Sequence, residues 1–245
     1  MNIRPQDIEP RRLAYKYVEP HARTMEWSLH AAVKDWYARP GDELEALVDG
    51  YVVDIVRDDL LIEIQTRNFS SIKRKLTKLI QGHRVMLVHP IARMKWIVRV
   101  DADGETVLSR RLSPRRGGVE DLFLELVYMP RLLRDPNLSL EVLFVHSEDV
   151  LIDDGKGSWR RRRWSIHDRR LLDVVDRVTF ESPEDLLEIL PSMLPQKFTT
   201  RDLTRESGIR PNIARKMAYC LRRMGVIEAV GKSGRELLYI KSLST

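Results

Sequence analysis

Asp54, Glu63 and Gln65 are the residues whose types and spacing point most directly to chemistry. They sit in two runs, ALVDGYVVDIVR (46–57) and LLIEIQT (60–66), separated by Asp58-Asp59. Both runs are rich in β-branched residues, and a polar pair between them reads as a hairpin turn. A two-residue turn sets Arg57 opposite Leu60 and, in the same register, Asp54 opposite Glu63. A four-residue loop centred on the same pair gives that register too; an odd-length loop does not. Opposed side chains share one face of the hairpin, with Cβ atoms about 4.5–5.5 Å apart. Gln65 joins that face, while Val53, Ile55, Ile62 and Ile64 take the other. Two like charges so placed destabilise a hairpin, and their neighbours Val52, Val56 and Leu61 are apolar. Protonation of one carboxylate, an inserted cationic side chain or a divalent metal relieves the repulsion. Hard oxygens at this spacing suit Mg²⁺ or Mn²⁺. The plainer alternative is a solvent-exposed face carrying a hydrated pair.

Several elements must position these groups. Thr24 can cap a helix whose Leu29, Val33 and Trp36 fall on one face with Tyr37 beside them, ended by Pro40-Gly41. Asn68 can cap a second helix through roughly Gln81, with Phe69, Ile72, Leu76, Leu79 and Ile80 inward. RVMLVHPI (84–91) is a continuous apolar run, as in a strand buried on both faces. Residues 95–112 read as a hairpin around Ala102-Asp103-Gly104, 118–133 as a helix and 138–147 as a strand. This predicts an α/β domain over 21–152 behind a polar, proline-bearing arm at 1–20. A basic linker or extension at 153–181 follows, including WRRRRW (159–164), and then a helical region at 182–245.

Asp54-x8-Glu63-x-Gln65 on a hairpin, preceded by a helix and followed by a helix and a buried strand, resembles the PD-(D/E)xK nuclease superfamily over roughly residues 22–92. The resemblance implies a restriction-endonuclease-like α-β-β-β-α-β core with a mixed central sheet. It implies that Asp54, Glu63 and the carbonyl of Ile64 hold Mg²⁺ (or Mn²⁺), with Glu26 on the first helix as a further carboxylate. Val53 stands where that motif has proline, and Gln65 where lysine is usual. Some restriction endonucleases of the superfamily have glutamine there; in others a lysine arrives from the following helix, a part open to Lys73 or Lys75. The implied chemistry is metal-assisted phosphodiester hydrolysis, with Gln65 or such a lysine orienting the attacking water. Many such nucleases are homodimers.

Charge separates the chain into two parts. Of 42 Lys+Arg and 36 Asp+Glu, residues 191–245 hold eleven and four, so the basic surplus lies at the C-terminal end. A basic segment on a near-neutral domain suggests a nucleic-acid partner. Residues 182–245 resemble a winged helix-turn-helix. A helix at 199–207 meets a turn at Ser207-Gly208, and a longer helix runs from about Pro211 to Met224. Ile213, Met217, Cys220 and Leu221 form its inward stripe, leaving Arg210, Asn212, Arg215, Lys216 and Arg222 for DNA. Lys232 and Arg235 belong to the expected wing. No run is long enough to span a membrane, the start lacks a secretory h-region, and one cysteine excludes a disulfide framework. The expectation is a cytoplasmic, metal-dependent DNA endonuclease positioned by its winged helix. The alternative is a non-catalytic DNA-binding regulator whose nuclease-like core serves dimerisation or sensing.

Overall fold

In the computed structural model, residues 28–104, 106–156 and 164–242 are described. Thr24, Glu26, Trp27, the 1–20 arm and Trp159–Arg163 lie outside them. Helix α1 (Ser28–Tyr37) leads into three strands, β1 (Glu43–Val48), β2 (Tyr51–Arg57) and β3 (Leu60–Ile64). Helix α2 (Phe69–Leu79) and the long strand β4 (Arg84–Val100) follow, then β5 (Val107–Leu112). A 3-10 turn (Val119–Leu122) runs into the short α3 (Phe123–Leu126), ahead of β6 (Leu138–Ile152) and β7 (Ser165–Phe180). The chain continues through a 3-10 turn, α4 (Thr200–Ser207), α5 (Pro211–Met224), β8 (Ile227–Ser233) and β9 (Glu236–Lys241).

Strands β1 to β3 form an antiparallel meander, β3 runs parallel to β4, and β4 runs parallel to β6. The mixed sheet has the order β1-β2-β3-β4-β6-β7, with β5 pairing β4. Helix α1 covers one face, where Leu29, Val33 and Tyr37 pack with Ile55, Ile62, Ile64 and Val88. Helices α2 and α3 cover the other, through Phe69, Ile72, Leu76 and Phe123. The protein is thus mixed α/β, and no described helix is long and apolar enough to cross a membrane.

Several expectations change. The run 46–57 is two strands, folded back at Asp49-Gly50, where φ is 49° and 81°. Asp-Gly tolerates that left-handed pair, which suits a two-residue hairpin. The runs at 84–91 and 95–100 fuse into one strand, bulged against β6 between Ala92 and Met94. The 118–133 helix shrinks to short turns, and β7 fills most of the stretch expected to be a linker, completing the sheet. Trp36 is 47% exposed; Tyr37 takes the inward place. Val53 packs on the α2 side, away from Ile55, Ile62 and Ile64.

Candidate active site

The turn at Asp58, with φ 49°, fixes the hairpin register by pairing Arg57 with Leu60, Val56 with Leu61 and Ile55 with Ile62. Asp54 and Glu63 are the next pair in that register, as the sequence predicts. There the backbone ladder gives way to a side chain: Asp54 Oδ2 accepts the Ile64 N–H at 2.8 Å. The same oxygen lies 3.3 Å from His30 Nε2 on α1. Glu63 is 2% exposed. Lys75 borders the buried stripe of α2, one turn from both Ile72 and Leu79. From there its ammonium makes an ion pair with Glu63 Oε1 and donates to the Val52 carbonyl. Lys75 is thus the partner of the buried Oε1 oxygen. Lys73 is exposed instead.

This environment pushes the two carboxylates apart. Burial, then the neighbouring Asp54 charge, lifts the Glu63 carboxyl from its ordinary 4.5 to about 7, against the opposing pull of Lys75. Burial also pulls Asp54 upward, but His30 and the Ile64 N–H outweigh it and hold Asp54 below the ordinary carboxylate range. One acid is therefore firmly ionised, and its neighbour changes state near neutrality. That division is a mark of sites built for chemistry.

Gln65 departs from the expected arrangement. Its amide nitrogen donates to the Arg67 carbonyl at 2.5 Å and lies 3.3 Å from that of Asn68, so it serves the β3–α2 loop. Its own carbonyl sits 2.7 Å from Nδ1 of the buried His89. His30, which the sequence leaves either bordering the site, one turn after Glu26, or, more readily, on the surface, is the group at Asp54 instead. Its position, three residues before the buried Val33, was the available signal.

The donor chemistry fits a hard divalent cation: two neighbouring carboxylates, with Asp54 held in its ionised, ligating form. Among the described residues, no three His, Cys, Asp or Glu side chains converge on one point. Water and backbone oxygen would have to complete the coordination; Glu26 lies outside the described residues.

At the C-terminal end, a capping box between Thr199 and Asp202 starts α4, and Gly208 at φ 70° turns the chain into α5. Arg210 is exposed, as expected, but paired, and Lys216 is half-buried. Arg210 reaches Asp121 at 3.3 Å, Lys216 points at the Leu124 carbonyl at 3.3 Å, and its ammonium lies 5.7 Å from the Tyr128 ring centre. Asn212, Arg215 and Arg222 are exposed as expected, and Tyr219 completes their stripe. Lys232 and Arg235 are exposed at the tip of the β8–β9 hairpin. Cys220 is buried, with its thiol pushed up to about 12 by desolvation.

Fold and site together define a mixed α/β protein with a paired-carboxylate centre at the open end of a hairpin. The sequence profile of the family described as "Domain of unknown function (DUF8091)" matches residues 27–181, and the chain belongs to that family. The matched stretch ends one residue after β7. A protein of Treponema pallidum (strain Nichols) called "Uncharacterized protein" is 34% identical over 218 residues, covering 88% of this chain and 85% of that protein. No solved structure matches.

Proposed function

We propose that the protein is a metal-dependent DNA endonuclease of the PD-(D/E)xK type. The observation that carries this reading is the convergence of Asp54, Glu63 and Lys75 at the open end of the β2–β3 hairpin. The element order from α1 to β4, with antiparallel β1 to β3 and parallel β4, supports it. Asp54, Glu63 and the Ile64 carbonyl would hold Mg²⁺ or Mn²⁺. A cation there supplies an acidified water and neutralises charge gathering on the phosphate. Asp54 is kept ionised by His30 and the Ile64 N–H, so it is a ready ligand. Glu63 becomes one only on losing its proton. Lys75 holds an ammonium against Glu63, where it can orient a water or steady a phosphate oxygen. The Asn212, Arg215, Arg222 stripe and the wing residues Lys232 and Arg235 would grip DNA. A homodimer belongs to the same reading, and light scattering of the purified chain tests it.

Supercoiled plasmid incubated with the protein and Mg²⁺ or Mn²⁺ is the test. Nicked or linear product is expected, at least a hundredfold slower with D54A or E63A. K75A is expected to lose roughly a hundredfold, as for removal of one oxyanion-stabilising donor. The rate is expected to climb as pH rises through 7, because the ligand form of Glu63 is the ionised one. Equal cleavage by wild type and both carboxylate variants would overturn the assignment. One observation favours a second reading, a non-catalytic DNA-binding regulator: the Gln65 amide is engaged by backbone carbonyls. Plasmid retained but uncut in either metal selects that reading.

A further inference from the structure

A cavity of about 240 Å³ opens beside the carboxylate pair, and neither Asp54 nor Glu63 lines it. It lies where β4 bulges between Ala92 and Met94 against β6. Bulges of this kind often re-aim side chains next to functional sites. Four basic residues from four different segments line it: Arg67 after β3, Lys95 on β4, Arg115 after β5 and Arg169 on β7. Three carboxylates also line it: Glu125, which accepts the Phe69 N–H at 3.1 Å, and Asp149 and Asp121, each shared between two basic groups. Lys95 and Arg169 both approach Asp149, at 3.0 and 3.3 Å, and Arg115 and Arg210 both approach Asp121, at 2.9 and 3.3 Å. An ammonium has three donors and a guanidinium five, so these contacts leave donors on Lys95 and Arg115 for a ligand.

The site is built rather than incidental. The loop carrying Arg115 is clamped to β4 at both ends, by Ser113 N–H to the Lys95 carbonyl at 2.7 Å and Gly117 N–H to the Ala92 carbonyl at 2.9 Å. A Cβ on Gly117 would come within 2.6 Å of that Ala92 oxygen, so only glycine permits the close approach. His89 lines the cavity with Nδ1 held at the Gln65 carbonyl, leaving Nε2 as its remaining polar atom. The rest of the wall is largely apolar, including Leu29, Ile91, Leu124 and Val145.

We infer that this cavity binds a phosphomonoester on a single nucleotide, with Lys95 and Arg115 as its anion-holding side chains. Basic groups arriving from four directions suit the tetrahedral oxygens of a phosphate better than a flat carboxylate. The volume is below the roughly 300–1,000 Å³ of pockets that bury drug-sized ligands, so one phosphorylated sugar fits and a longer segment does not. The choice of a nucleotide over other sugar phosphates rests on the nuclease reading; the anion site does not. A free mononucleotide and the 5′-phosphorylated end of a DNA strand share this chemistry.

Calorimetry on the full chain in EDTA, where metal-dependent cleavage is off, separates the cases. The ligands are a deoxynucleoside 5′-monophosphate, its nucleoside, and a short oligonucleotide with a 5′-phosphate or a 5′-hydroxyl. The phosphorylated member of at least one pair is expected to bind ten times tighter or more. Preference in the oligonucleotide pair alone places the ligand at a strand end; preference in the mononucleotide pair places it in free nucleotide. K95Q and R115Q should each abolish the preference, while D54A should keep it. Phosphate preference in a protein that never cuts plasmid would sustain the cavity and defeat only the nuclease reading. No phosphate preference in the wild type, or one untouched by K95Q and R115Q, overturns the inference.

Discussion

Glu63 holds the largest electrostatic tension described in the site, and its consequences can be measured on stability alone. The folded protein keeps its carboxyl protonated up to about pH 7, whereas the ordinary value is 4.5. Between those values the native state binds more protons than the unfolded chain, so stability falls as pH rises and levels off above 7. The full loss is roughly 3 kcal/mol. E63Q removes the titration while keeping the shape. Its melting temperature should exceed that of wild type at pH 8, and the advantage should vanish by pH 4.5. A variant no more stable than wild type at pH 8 would show that Lys75 already neutralises the buried carboxylate. Asp54 carries the opposite sign: its folded pKa is depressed, so its contribution is present above the ordinary carboxylate range and lost on acidification. H30A takes away one of the groups that hold it down and should weaken that acid-sensitive contribution, read as a shallower loss of stability toward low pH.

At the scale of elements, the sequence made the hairpin register legible because two-residue turns leave little freedom. Asp58-Asp59 sets the 54–63 pairing from residue types alone, and α2 is plain from its apolar spacing. The stretch 46–57 was less legible, because Val and Tyr on both sides of Asp49-Gly50 read as one continuous β-rich run. Backbone geometry divides it. Gly50 has φ 81°, and a Cβ at that position would meet nothing within 4 Å. G50A should therefore lose roughly 1–2 kcal/mol through left-handed backbone strain alone, seen as a lower denaturant midpoint with an unchanged slope. Helix α5 was half legible. Helical spacing finds the side of α5 that faces its own module, but a second buried side exists because α3 packs there, and α3 is distant in sequence. Lys216 consequently sits half-buried against Leu124 rather than on the outer stripe, while Arg210, at the helix N-cap, stays exposed and reaches across to Asp121. If the outer stripe meets phosphates, R215A and R222A should each lower the salt dependence of DNA binding by about one unit of slope. K216A should leave the slope alone; a slope that responds to K216A and not to R215A would place DNA on a different face.

At the scale of the molecule, charge and linker composition suggest two independent modules, and packing argues otherwise. The apolar core on the α2 side runs without a break from Phe69, Leu76 and Phe123 into Ile213, Met217 and Leu221 of α5. Arg210–Asp121 and Lys216–Leu124 stitch the same contact at its rim. Because Asp121 also holds Arg115 at the cavity, the C-terminal helix and the phosphate site share a carboxylate. A core shared in this way should melt as one unit, since neither part can expose its half without stranding the other. Calorimetry should give a single transition whose calorimetric and van't Hoff enthalpies agree. M217A, which opens a cavity in the shared region, should cost about 2–5 kcal/mol and move that one transition as a whole. Two transitions, with M217A shifting only the smaller, would mean that the C-terminal module folds on its own and merely rests against the sheet domain.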